Sequence, residues 1–335
     1  MVQKIDWERR IGRRFKLRDL HVFFTVAQRG SMAKAAQELG VSQPAVSEVI
    51  ADLEHAVGAR LLDRHPQGTE PTIYGRALLK RSIAVFDELK HGIQDIEFLS
   101  DPTSGELRIG CSESIAAFLS PLVQRFCRQY PRVAVNVGQI LPPWEKEVTE
   151  LHERKFDLIL GRLIVAPTLV DEIEDDVNAE QLFDDRLVVV AGMRSRWARQ
   201  RKVELAELID EPWILPGSAW NDIGMREAFH AKGLKLPRVS IATFSVPLRI
   251  DAIKTGQFIA AVPRSMADRY ALKVLPIDLP VRPWFFAIMT LKNRTLSPIV
   301  ERFIEELRDF TRPMRGAGPA AHERPHKAAA ALRHG

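Results

Sequence analysis

Residues 31–53 read SMAKAAQELGVSQPAVSEVIADL, two short helical runs broken by a glycine turn, and this pattern fits a helix-turn-helix. Met32, Ala35, Ala36 and Leu39 fall on one face of the first run, and Val46, Val49, Ile50 and Leu53 on one face of the second. Gly40 stands just past the first run, where left-handed backbone is cheap without a Cβ, so the chain reverses within about three residues. Ser42 can then cap the next helix through its hydroxyl. Pro44 is tolerated in that helix's first turn, where amides lack intrahelical partners. The large crossing angle leaves the second helix free to enter a DNA groove.

A helix over 17–28, with Leu17, Leu20, Phe23, Phe24 and Ala27 as its stripe, completes a three-helix core. Arg60 to Arg64, the turn His65-Pro66-Gln67-Gly68 and Glu70 to Ile73 read as a hairpin with basic residues near its tip, a wing beside the DNA backbone. The expected DNA-binding domain, an all-α winged helix-turn-helix, spans 17–73.

Ala35-Ala36 with Leu39, Val41-Ser42-Gln43-Pro44-Ala45-Val46-Ser47, Leu53-Glu54, Gly58 and Arg60-Leu61-Leu62-Asp63-Arg64 resemble the LysR-type transcriptional regulators. Thr72 and Gly75 fit that family's wing-to-linker pattern. The likeness is dense over the first 75 residues and continues in layout to residue 310, with a faint similarity in wing and linker to the branch regulating galactose-binding-protein genes. It implies Ser31, Ser42, Gln43, Pro44, Ser47, Glu48, Arg64 and Thr72 as DNA-binding residues. Gln43 can pair bidentately with adenine while Pro44 touches a thymine methyl. Glu48 departs from the family pattern, where a basic or amide side chain is usual. Either it accepts from cytosine N4, or it turns away to pair with Arg60 or Arg64.

The net charge of +5 is unevenly placed. Residues 1–18 hold seven basic and two acidic groups, so the arm over 1–16 either neutralises phosphates or is simply solvated. The segment 311–335, rich in Ala, Pro, Gly and His, reads as a disordered basic tail. No apolar run approaches 18 residues and the start lacks a secretory pattern, so a cytoplasmic protein with no membrane partner is expected. Cys111 and Cys127 fit neither a metal pattern nor a disulfide framework, and read as buried bystander thiols.

Residues 74–100 form one long helical pattern with Leu79, Phe86, Leu89, Ile93 and Ile96 at seam spacing. The stripe must pack either on a second copy of the chain or on the effector domain. The resemblance favours the first, as a linker that pairs winged domains into dimers or tetramers.

From residue 101 to 310 strand-like runs (106–110, 133–137, 156–160, 187–191, 239–244, 258–262, 285–290) alternate with helical ones (115–129, 144–154, 221–231, 247–255, 297–310), which is α/β. Mostly parallel sheets covered on both faces are expected, with ligands beyond the strands' carboxyl ends. The resemblance implies two Rossmann-like lobes like a periplasmic binding protein, lobe one at 105–180 plus 284–310 and lobe two at 181–283. Strand ends then nominate effector residues: Ser112 and Ser114, whose hydroxyls can hold an anion if Glu113 turns away; Arg162, either a carboxylate clamp or an interlobe ion pair; and Ser218 and Ser245. Trp144 and Trp220 offer flat walls or mere packing.

No nucleophile elbow, Walker loop or dinucleotide fingerprint is present, and the nine histidines show no metal-ligand spacing, so neither enzyme activity, metal nor cofactor is expected. The sequence reading is a promoter-binding regulator answering a small effector, an anionic metabolite or sugar derivative, with RNA polymerase as a further contact. A metabolite-binding architectural DNA protein without effector control is the alternative.

Overall fold

The computed structural model describes residues 15–66, 68–141, 145–163, 176–216, 223–281 and 284–315. It divides into two compact units, the first reaching Ser100 and taking in His152–Lys155, the second holding the remainder.

The first unit opens with α1 (Leu17–Arg29), α2 (Met32–Leu39) and α3 (Gln43–Val57). Their core is Val22, Phe23, Val26, Met32, Ala35, Ala36, Val46, Ile50 and Leu53, with Leu39 and Val49 at its margin. The stripe of α1 is displaced from the expected one. Leu20 and Phe23 are buried but Leu17 is exposed, and Val22 and Val26 take its place because α1 is packed from more than one side. Gly40 has φ 66° and donates its N–H to Ala36 and Gln37, closing α2 as the turn requires.

The wing is β1 (Leu62–His65) antiparallel to β2 (Gly68–Pro71). Glu54 on α3 ties it down, its Oε1 accepting from the amides of Leu61 (2.7 Å) and Leu62 (3.1 Å). The helix α4 (Ile73–Ser100) follows, and Gly75 presses against the wing so closely that a Cβ there would lie 2.0 Å from the Leu61 carbonyl oxygen. Gly75→Ala is therefore expected to cost about 1–3 kcal/mol by forcing backbone apart. The denaturation midpoint of the full chain measures it, and an unchanged midpoint means that the junction relaxes freely.

The seam of α4 divides. Leu79 joins the core of the helix-turn-helix, and Phe86 packs on His21 (5.6 Å between rings) and Phe24 (5.8 Å) of α1. These two are thus engaged within the chain, a correction to the seam read from periodicity. Leu89, Ile93, Ile96 and Leu99 are 46%, 59%, 66% and 82% exposed. On the opposite side Asp87 and Glu88 take Arg154 Nη1 at 2.7 and 3.2 Å, so the acidic pair beside His91 already holds a cation.

The second unit contains two sheets. The first has the order β4-β3-β5-β12-β6: β3 (Ser104–Cys111), β4 (Arg132–Gln139), β5 (Leu158–Leu163), β6 (Val177–Asp185) and β12 (Trp284–Leu291). Helix α5 (Glu113–Gln129) and the last helix α10 (Pro298–Thr311) cover one face through Phe118, Leu122, Phe126, Phe303 and Leu307. Helix α6 (Glu145–His152) covers the other through Val148 and Leu151. The second sheet has the order β11-β7-β10-β8-β9: β7 (Leu187–Ala191), β8 (Trp213–Leu215), β9 (Val239–Ala242), β10 (Ile259–Pro263) and β11 (Lys273–Val274). Around it lie α7 (Ile223–Ala231), α8 (Val246–Lys254) and α9 (Arg264–Arg269). Alternate residues of β7 enter different cores, Leu187 and Val189 one, Val188 and Val190 the other, which is why LVVVA is apolar throughout.

Three expectations need correction. The sheets are not mostly parallel: β12 runs antiparallel to both β5 and β6, and β7 to both β10 and β11. A strand that arrives from the other lobe has no helical crossover to orient it parallel to its neighbours. The whole of β6 belongs to the first sheet, so lobe one extends to Asp185 rather than 180. Cys111 is buried, but Cys127 is exposed because it falls just off the apolar face of α5 that carries Phe126. The tail also begins later than its composition suggests, since α10 runs through a buried Thr311 and a helical turn continues over Arg312–Met314. Most of the arm, Trp144, Ser218, Trp220 and residues 316–335 lie outside the described residues.

Candidate DNA-reading helix and effector cleft

Burial of Val46, Ile50 and Leu53 turns the opposite face of α3 outward, where Ser42, Gln43, Pro44 and Glu48 are exposed. Two of the nominated serines are helix caps. Ser31 Oγ accepts from the Lys34 amide (3.4 Å) and Ser42 Oγ from the Ala45 amide (3.3 Å). Ser47 is half-buried and donates to the Met32 sulfur at 3.3 Å. Arg64 is exposed on the wing. Thr72 is a junction residue: its Oγ1 donates to the Arg60 carbonyl (2.7 Å) and accepts from the Gly75 amide (3.0 Å), capping α4. Glu48 makes no ion pair with Arg60 or Arg64 among the described residues; Arg60 instead lies 3.7 Å from Asp63.

In the second unit the sequence-nominated groups of lobe one converge. Ser112 gives α5 no side-chain cap; its hydroxyl lies 3.1 Å from that of Ser114, which in turn accepts from Arg162 Nη1 at 3.1 Å. Arg162 extends from the end of β5 over the ring of Trp284, 5.5 Å from its centroid. The flat partner sought in Trp144 or Trp220 is therefore Trp284, at the strand that returns from lobe two. Opposite stands α8, capped by Ser245 Oγ accepting from Leu248 N (3.4 Å). Glu113 does turn away from its own helix. It crosses between lobes, and its Oε2 accepts from Val246 N at 2.9 Å, a carboxylate at the N-terminus of α8.

Sequence reading missed Arg249. It lies on α8 one turn past Val246, is 4% exposed, and has its Nη2 3.5 Å from the Met266 sulfur. Burial, and then the charge of Arg162, push its guanidinium down to about 10, with Glu113 opposing them. A second missed group is Asp185, where the chain leaves lobe one. Its carboxylate accepts from Arg186 N (2.9 Å), Ser265 N (3.3 Å) and Ser265 Oγ (2.7 Å), pinning α9 to the crossing.

A cavity of about 1090 Å³ opens at that crossing, walled by Phe118, Phe183, Leu279 and Phe310 with Arg186 and Arg269 at its margin. Ser112, Ser114, Arg162 and Ser245 do not line it. Its volume is generous, yet its acids and bases are exposed and partly paired with each other, as Arg264 is with Asp268 at 2.9 Å. The buried polar convergence around Ser114 is the better candidate for selective binding, because specificity comes from desolvated groups whose partners must be supplied.

A winged helix-turn-helix joined by a long helix to a two-lobed α/β unit defines the class of DNA-binding proteins that carry a small-molecule sensor. The chain matches the family described as "LysR substrate binding domain" over residues 100–312 and that described as "Bacterial regulatory helix-turn-helix protein, lysR family" over residues 17–76. The chain belongs to the LysR family of transcriptional regulators. Among curated relatives it is 25% identical to the HTH-type transcriptional regulator TdcA of Escherichia coli K12 over 303 residues, 88% of this chain and 93% of that one. It is 26% identical to the HTH-type transcriptional regulator GbpR of Azospirillum brasilense over 306 residues, 88% and 86% of the two chains. These near-equal identities single out no branch of the family, the galactose-related one included. A full-length OxyR variant from Pseudomonas aeruginosa shares the fold with a TM-score of 0.60 at 21% identity, covering 93% of this chain and 99% of that one. No described helix is long and apolar enough to cross a membrane.

Proposed function

We propose that this regulator binds a near-palindromic promoter site as a dimer or tetramer, in the cytoplasm and without catalytic turnover, and that a small anion between its lobes changes the geometry of DNA binding. The observation that carries the reading is the outward face of α3, where Gln43, Pro44 and Glu48 stand exposed on a helix whose other face is core. Such a helix start fits the major groove, with Arg64 of the wing against phosphate. Effector control is supported by Ser114 and Arg162 meeting at the end of β5, opposite α8. For control to operate the anion must prefer one lobe arrangement, since equal affinity for both shifts nothing.

Selection from random duplex DNA tests the DNA half. The full chain should enrich a dyad, and Glu48→Gln should relax one position in each half-site, discrimination there falling by about 1–3 kcal/mol. Absence of any enriched motif overturns the reading. If Glu48→Gln leaves every preference intact but tightens binding everywhere, the carboxylate contributes only repulsion of phosphates.

A further inference from the structure

The interlobe cleft contains more positive charge than its own residues neutralise. Arg162 approaches from lobe one and Arg249 from lobe two, and their charges oppose each other strongly enough to disfavour the protonated form of Arg249. Glu113 is the acid that acts on both sides of this gap, bonded to Val246 N one turn before Arg249. Arg249 is almost completely buried, yet its Nε has no hydrogen-bond partner among the described residues, and its Nη2 faces only a thioether, a weak acceptor. A desolvated guanidinium in that state is costly to keep and gains most from an incoming oxyanion. Packing does not explain it, since Val246, Ile250 and Ile253 on the same helix supply the apolar contacts.

We propose that Arg249 and Arg162 together grip the carboxylate of a small monoanionic effector, and that Glu113 is the built-in counter-charge that fixes the ligand's charge at one. The proposal rests on the reading that the cleft holds an effector, and adds to it the ligand class and the residue that anchors it. Two guanidiniums and one carboxylate leave one positive charge to be met. A monocarboxylate meets it. A dicarboxylate leaves one negative charge buried between the lobes, which is disfavoured unless Glu113 is neutralised. Ser114, already bonded to Arg162, orients that guanidinium towards the shared anion.

The test titrates the full chain by calorimetry and thermal shift with acetate, pyruvate and benzoate, and with malonate and succinate as dianions. At least one monocarboxylate should bind and raise the melting temperature of the natural chain, with the dianions weaker. Arg249→Met should weaken that monocarboxylate by at least about tenfold, and Arg249→Lys, which keeps the charge but loses the fork, by less. Without added acid Arg249→Met should melt at or above the natural chain, which checks that it folds. Glu113→Gln keeps an oxygen for Val246 N and removes the charge, and should bring the dianions to parity or better. The inference is overturned if no monocarboxylate binds, if dianions already bind the natural chain as well, if Arg249→Met binds normally, or if Glu113→Gln leaves the preference unchanged. Ser114→Ala separates the two levels. Normal binding to both Ser114→Ala and Arg249→Met removes the acid from the cleft and the effector site with it, whereas a loss in Ser114→Ala alone spares the cleft and removes only the role of Arg249.

Discussion

Asp157→Ala is expected to destabilise the two-lobed unit by about 3–5 kcal/mol, the usual result of stripping a buried cation of its partner. Asp157 precedes β5, and its side chain is 4% exposed. Its Oδ1 takes Arg108 Nη2 at 2.6 Å and Arg294 Nη2 at 2.8 Å, and its Oδ2 takes the Arg108 amide at 2.8 Å. The Arg294 side chain is fully buried and also donates to the Phe156 carbonyl (2.6 Å). One carboxylate thus joins β3, the start of β5 and the segment after β12, three stretches far apart in sequence. Its removal leaves Arg294 with a charge it cannot hydrate. In a unit of this size the loss corresponds to a fall of roughly 10 °C in melting temperature. Differential scanning calorimetry checks it, and Asp157→Asn, which keeps an acceptor but no charge, should fall between. A change below about 1 kcal/mol would mean that water reaches both guanidiniums and that the cluster is effectively a surface one.

The same cluster illustrates what a single sequence can and cannot reveal. In Phe156-Asp157-Leu158-Ile159-Leu160 the carboxylate interrupts an apolar run and reads as a strand boundary, which it is; nothing local says that Arg108 and Arg294 come to meet it. The helix-turn-helix was legible because its determinants are local. Gly40, the caps Ser31 and Ser42, and stripes three and four apart each act within one or two turns. Ser114 and Arg162 were legible for a similar reason, since strand ends in an α/β sheet point to one edge.

Features that depend on which surfaces meet were not legible. Arg249, in the run Val246-Pro247-Leu248-Arg249, reads as an ordinary basic residue in a first helical turn; its burial follows from the contact of α8 with α9 and the start of α5. The strand β6, Val177–Asp185, has five acidic or amide side chains in nine residues, and its edge position rather than its composition allows it to pair with β12. Trp213-Ile214-Leu215 is too short to register as periodic, although all three are buried. Periodicity also gave Leu79, Phe86, Leu89, Ile93 and Ile96 as one seam without saying that its first two members are claimed by α1 and its neighbours.

That division of the seam sets up the sharpest contrast among variants. Replacing Leu89 and Ile93 together by glutamate should convert the protein to monomers and weaken operator binding by about 10²–10⁴-fold, the gain that linking two half-site contacts supplies. Both side chains are about half exposed on α4, one turn apart, and with Ile96 and Leu99 they make a continuous apolar strip that a lone helix would leave in water. Covering each such side chain is worth about 1.5–3 kcal/mol, and a symmetric pair of helices covers every one twice. Four carboxylates facing one another across that contact reverse the sign. Phe86→Ala supplies the control, since its ring packs on His21 and Phe24 within the same chain. It should lower the melting temperature of the first unit without changing the molecular mass, whereas Leu89→Glu with Ile93→Glu should change the mass and leave the helix-turn-helix core intact. Light scattering reads the mass and a fluorescence titration with operator DNA the affinity. An unaltered mass for the double variant would remove α4 from the interface and return its exposed strip to some other partner.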